Sequence, residues 1–188
     1  MMHTKVWMVV AVVASLGGAP LLAGGDDDGS CSGVWTVAVD KACYEASTGA
    51  AMYDLCMSIL KSSPANSEQS AYALRAASAA TDSSKYTLAS GEEMSRNSTI
   101  TGEVRNAWGG CNPLYDAAID ALAGAEEQLR QCAFGGLGQR YMDALSPIED
   151  CTTRMLSVGG QTTPLYSMII GDRDRAVLAF RLAKPLIP

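Results

Sequence analysis

Between Val104 and Leu129 the apolar residues Val104, Trp108, Cys111, Tyr115, Ala118, Leu122, Ala125 and Leu129 are spaced alternately by four and three positions. That period is the seam of an α-helix packed lengthwise against other helices, and it excludes a strand, whose side chains alternate every second residue. A cysteine stands inside the seam. A helix-borne, inward-facing cysteine in an exported chain seeks a partner on a facing helix, and Cys151 occupies the same kind of position in a second segment of similar period.

Export is read from the first 25 residues. Met1 to Lys5 is a short basic region, Val6 to Leu22 is apolar, and Ala23, Gly24 and Gly25 offer small residues before the run Asp26, Asp27, Asp28. This is the layout of a cleaved signal peptide. An uncleaved anchor is the competing reading, but Gly17, Gly18 and Pro20 interrupt the apolar run. The expected mature protein is therefore one domain, residues 26–188, in an oxidising compartment. It carries Cys31, Cys43, Cys56, Cys111, Cys132 and Cys151. Six cysteines allow many connectivities, and spacing alone does not choose among them. A zinc site is disfavoured: there is no C-x-x-C pair, and the single histidine, His3, lies in the leader. No metal and no cofactor are expected.

Periodicity along the rest of the chain predicts only helices. Trp35, Val39, Ala42 and Ala46 are helically spaced, then Ser47, Thr48 and Gly49 turn the chain into a second short helix with Met52, Leu55, Cys56 and Ile59 on one face, stopped at Pro64. In this hairpin a Cys43–Cys56 bond would staple the turn, worth about 3 kcal/mol by loop entropy. Asn66, with Gln69 three residues on, predicts a capped start for a helix running toward Met94. Its face is thin, with Ala73, Ala76, Ala77, Ala79 and Ala80 among Tyr72, Leu74, Tyr86 and Leu88. Asn97-Ser98-Thr99 is a glycosylation acceptor at the following turn. In the seam helix, Pro113 behind Gly109 and Gly110 predicts a kink or break with Asn112 capping the restart.

Cys132 to Gly138 is too glycine-rich for helix and reads as a loop holding Phe134. Leu137, Tyr141, Leu145, Ile148, Cys151 and Met155 then resume the period. A last helix is capped by Thr163, opens with Pro164, carries Leu165, Ile169, Ala176, Phe180 and Ala183, and ends at Pro185. The expected fold class is all-α: an up-and-down four-helix bundle preceded by a helical hairpin and stabilised by disulfides. In such a bundle Cys111 and Cys151 lie across one interface, closing a loop worth about 4 kcal/mol. Cys31 and Cys132 remain as a possible third pair.

An enzyme should leave a constellation of reactive groups, and this chain offers little. Without histidine in the mature region, Ser-His-Asp and Cys-His arrangements are impossible. Asp116 and Asp120, four apart, are more simply a solvated helix face than an acid–base pair, and Asp172, Arg173, Asp174 and Arg175 read as surface charge. The net charge of −6, or −7 once Lys5 leaves with the leader, speaks against nucleic acid as partner.

The stretches ACYEASTGAAMYDLCMSIL, CNPLYDAAIDAL and YMDALSPIEDC resemble the plant invertase and pectin methylesterase inhibitor family over essentially the whole mature chain. The resemblance implies a four-helix bundle behind a hairpin, Cys43 bonded to Cys56, Cys111 bonded to Cys151, and no catalysis. Three features depart from the family pattern: Asp150 stands before the last cysteine with Thr152 after it, Cys31 and Cys132 are additional, and the loop around Phe134 lacks the lysine and proline of invertase inhibitors. The implied function is a secreted inhibitor, in the cell wall or apoplast with the vacuole as a further possibility. It would block the active-site cleft of pectin methylesterase non-covalently, through polar residues on the helices from Ser67 to Met94 and from Glu103 to Gln131. Inhibition of acid invertase through Phe134 is the alternative. A secreted ligand carrier or defence protein is the alternative of another class. Because the wall is acidic, the carboxylate-rich surface implies pH-dependent affinity.

Overall fold

The computed structural model describes residues 31–188, so the leader read at 1–25 lies outside the described residues. Six α-helices and one two-stranded ribbon make up the described chain, in the order β1 (Thr36–Ala38), α1 (Val39–Ala46), α2 (Ala50–Leu60), β2 (Asn66–Glu68), α3 (Gln69–Arg96), α4 (Gly102–Arg130), α5 (Leu137–Ser157) and α6 (Pro164–Ala183). The last four are the bundle. Short turns join them, so successive helices are antiparallel neighbours, and α3 closes the bundle against α6.

The predicted seam is the core. Val104, Trp108, Cys111, Tyr115, Ala118, Leu122, Ala125 and Leu129 are all buried on α4, as are Leu137, Tyr141, Leu145, Ile148, Cys151 and Met155 on α5. On α3 the buried residues Ala73, Ala76, Ala77 and Ala80 let the neighbouring helices approach closely, while each buries little area of its own. Tertiary packing must hold that helix in place. At α6, Thr163 accepts a hydrogen bond from the Tyr166 N–H at 3.2 Å and Pro164 opens the helix.

Three local expectations are corrected. The chain from Thr36 to Ala38 is extended, and Asn66–Glu68 pairs with it antiparallel, Thr36 opposite Glu68 and Ala38 opposite Asn66. Asn66 therefore caps nothing. Its backbone is committed to the ribbon, and Gln69 turns away from the helix start to donate to the Leu182 carbonyl at 2.6 Å, tying α3 to the end of α6. The second correction is Pro113, which sits inside an unbroken α4. Both Pro113 and Gly109, the residue whose carbonyl loses its helical partner, are exposed, so water can satisfy that oxygen. Buried side chains on either side, Trp108, Cys111 and Tyr115, keep one axis. The third concerns apolar faces: Trp35 is 50% exposed and Tyr86 is 69% exposed, outside the core.

Three disulfides join Cys43 to Cys56 across the hairpin, Cys111 to Cys151 between α4 and α5, and Cys31 to Cys132, with Cα separations of 5.5, 5.1 and 5.6 Å. The hairpin is further attached to the bundle by Arg181, whose Nε donates to the Ala46 carbonyl.

Candidate functional site

A site on this molecule is a surface or a turn, because the bundle interior is closed. Its polar centre shows why. Asp172, expected at the surface, is fully buried on α6. Ser83 of α3 donates to its Oδ1 at 2.5 Å and Tyr115 of α4 donates to its Oδ2 at 2.9 Å. Thr87 adds a further side-chain hydrogen bond, and Arg175 supplies a favourable charge. Burial nevertheless dominates and holds the Asp172 carboxyl above its ordinary range, while burial and the neighbouring Asp172 push the Tyr115 phenol up. The arrangement superficially resembles a catalytic relay, but Asp172 and Tyr115 have no exposed surface through which a substrate could reach them. It is a three-helix lock.

A second polar tie joins α3 to α4 nearer the ribbon. Thr81 donates to Glu126 Oε1 at 2.5 Å, and Arg130 reaches Glu126 Oε2 at 3.2 Å from the outside. On their outward sides α3 and α4 are mostly polar. Arg75, Asp82, Lys85, Glu92 and Glu93 are exposed on α3, and Glu103, Asn106, Asp116, Asp120 and Glu127 are exposed on α4. Asp116 and Asp120 are thus a solvated face.

The turn after α4 has a different character. Ala133 N–H donates to the Gln128 carbonyl at 2.8 Å, Leu137 N–H to the Phe134 carbonyl at 3.3 Å, and Cys132 adopts a positive φ of 55°. The bond from Cys132 to Cys31 fastens the turn to the start of the described chain, where Cys31 N–H donates to Glu68 Oε2 at 2.7 Å. Phe134 is half-buried and packs on the core. Asn97 lies exposed at the end of α3, more than thirty residues away in sequence, and the structure does not bring it together with Phe134 as one site.

All six cysteines are in disulfides, so none is available as a thiolate ligand. Among the described residues no three His, Cys, Asp or Glu side chains cluster as a metal site, and no helix is long and apolar enough to cross a membrane.

Residue spacing could have placed Asp172 inside. Leu165, Ile169, Asp172, Ala176, Ala179 and Ala183 follow the same four-three rhythm as the seam of α4, and all are buried. The charge pattern masks it.

Comparison with known proteins agrees with this architecture. The family model for the plant invertase/pectin methylesterase inhibitor matches residues 37–175. Among solved structures, the crystal structure of a mutant form of a pectin methylesterase inhibitor from Arabidopsis is similar, with a TM-score of 0.65 over 80% of this chain and 97% of that one. At 16% identity that likeness speaks for the fold alone. No curated protein sequence matches. The helical bundle, its hairpin and a family match spanning most of the chain lead to one assignment: the chain belongs to the plant invertase/pectin methylesterase inhibitor family, whose members are inhibitors of enzymes and not enzymes themselves.

Proposed function

We propose that residues 26–188, once released from the leader, act outside the cell as an inhibitor of pectin methylesterase, laying the α3–α4 flank over the substrate cleft in a non-covalent complex. The observation that carries the choice of target is the seating of Phe134. An inhibitor that works by inserting a loop needs a residue free to project, whereas Phe134 packs on the core and its turn is clamped by the Cys31–Cys132 bond. The flank, by contrast, is polar, exposed and borne on two long helices tied to each other through Glu126 and to α6 through Asp172. Rigid presentation of such a surface lowers the entropy lost on docking. Exposed Asn97, in its acceptor tripeptide beyond the end of α3, is the proposed glycosylation site.

The test is inhibition of purified pectin methylesterase and acid invertase by the oxidised protein, side by side. Esterase inhibition that weakens at least about tenfold in Asp116→Lys/Asp120→Lys, as expected for charges reversed in a polar interface, supports the flank. Inhibition of invertase alone, abolished by Phe134→Ala, overturns the proposal in favour of the loop mechanism.

A further inference from the structure

The three disulfides are not equivalent. Cys43, Cys56, Cys111 and Cys151 are 0% exposed, whereas Cys132 alone of the six cysteines keeps part of its surface open. A disulfide is cleaved by a thiolate that reaches one of its sulfurs, so access decides which bond is attacked first. Location decides which bond closes again. Cys43–Cys56 joins α1 to α2 and Cys111–Cys151 joins α4 to α5, helices that packing holds side by side, so the thiols of either pair stay within reach after reduction. Cys31 precedes β1 and Cys132 lies in the turn after α4, both outside helix and strand.

The turn itself depends on its bond. Cys132 holds a φ of 55° in the left-handed conformation that closes α4, where its N–H donates to the Leu129 carbonyl at 3.1 Å and the Ala133 N–H to the Gln128 carbonyl at 2.8 Å. Glycine normally takes that position at a helix end, because a Cβ is unfavourable there. A cysteine is disfavoured by its own backbone, and the tie to Cys31 opposes its departure. Two residues on, Phe134 is half-buried against the core. With Cys132 released, the backbone is free to leave the left-handed region and lift Phe134 from its seat.

We propose that the Cys31–Cys132 bond is a redox-operated clasp on the Phe134 turn, opened ahead of the other two disulfides by a dithiol reductant while the bundle stays folded. One thiolate of the dithiol attacks the Cys132 sulfur, the bond to Cys31 breaks, and Cys31 leaves as a thiolate that takes up, through solvent, the proton lost by the attacking thiol. The second thiol of the reductant then attacks the mixed disulfide and releases Cys132. The cysteine pair gains two electrons and two protons, and the dithiol becomes a disulfide. This deepens the proposed function and rests on it for its consequence: an inhibitor that presents only its flank becomes one that also offers a projecting phenylalanine.

The test titrates dithiothreitol into the oxidised protein under native conditions, blocks the thiols released with N-ethylmaleimide and locates them by peptide mass mapping. Cys31 and Cys132 should be alkylated at dithiol concentrations at least about tenfold below those that open either other bond. Amide hydrogen exchange on the same samples reads the turn. The N–H groups of Ala133 and Leu137, bonded to the Gln128 and Phe134 carbonyls in the closed form, should exchange at least about tenfold faster once the clasp opens, with the interior amides of α4 and α5 unchanged. Cys31→Ser/Cys132→Ser should show the fast turn without reductant. Another bond opening first or together with this one, a turn whose exchange is unchanged after Cys31 and Cys132 are reduced, or protection lost throughout α4 and α5 overturns the proposal. Both readouts are taken on the protein alone, so they can fail while esterase inhibition through the flank stands, and the reverse.

Discussion

Gly91 of α3 lies directly against the Trp108 ring of α4, and the substitution Gly91→Ala sets two physical effects against each other. An alanine inside a helix is more favourable than glycine by about 1 kcal/mol, so propensity alone predicts a gain. The structure predicts a loss. A Cβ on residue 91 would stand 2.2 Å from Trp108 Cε2 and Cζ2 and 2.7 Å from Nε1, where carbon–carbon contact requires about 3.5–4 Å. Trp108 cannot swing aside, because it is 1% exposed and its ring meets Tyr115 at 5.4 Å between centroids. The helices must therefore part by about an ångström or more, which overpacking data value at about 1–3 kcal/mol and occasionally more. The clash wins, and the net expectation is a destabilisation of about 1–2 kcal/mol, or a few degrees in Tm for a domain of this size.

Urea unfolding followed by circular dichroism measures this directly, with an unchanged m-value showing that stability alone has moved. The same change made in a Trp108→Ala background isolates the contact. That background is itself costly, by about 3–5 kcal/mol, but it opens space opposite residue 91, so the alanine there should be neutral or stabilising. The difference between the two backgrounds, about 2 kcal/mol, is the coupling energy. A raised urea midpoint for Gly91→Ala alone, or an identical penalty in both backgrounds, would refute the reasoning.

Gly109→Ala carries the opposite sign: it lies exposed within the same α4, its Cβ meets nothing within 4 Å, and a gain of about 0.5–1 kcal/mol in urea unfolding is expected. Replacing Cys111 and Cys151 together by serine removes a closed loop of 40 residues and should cost about 4 kcal/mol in the same measurement, against about 3 kcal/mol for Cys43 and Cys56. Asp172 predicts a pH dependence. Burial raises its carboxyl pKa in the folded state, so the folded chain holds that proton more tightly than the unfolded one. This contribution is fully present below the unfolded carboxylate value and is lost as pH rises through the folded value. Thermal melts from about pH 4 to pH 8 should therefore show a fall in Tm that is flatter in Asp172→Asn, and parallel curves would count against the assignment.

The bundle is legible because its helices are long and its seams regular: from Val104 to Leu129 and from Leu137 to Met155 every residue of the predicted stripe is buried. What escapes is decided by partners distant in sequence. Asn66 has the chemistry of a cap, yet the strand at Thr36–Ala38 claims its backbone first, and neither three-residue strand has a period long enough to detect. Pro113 breaks helices in isolation, but buried neighbours on both sides and a solvent-facing gap let α4 continue. Asp172 reads as surface charge among Arg173, Asp174 and Arg175, although its register puts it with Ile169 and Ala176. The hydroxyls that accommodate it come from α3 and α4, and no local pattern announces them.

The clasp between Cys31 and Cys132 also bears on how the protein is made. Its halves are 101 residues apart. At a synthesis rate of about 5–20 residues per second, Cys31 is made some 5–20 s before its partner. During that interval the thiols of Cys43, Cys56 and then Cys111 are made, so Cys31 meets three wrong partners before the right one exists. On the proposed export of the chain, trapping intermediates with a thiol alkylator should catch Cys31 either reduced or in a transient bond to one of those three, and a disulfide isomerase should speed its transfer to Cys132.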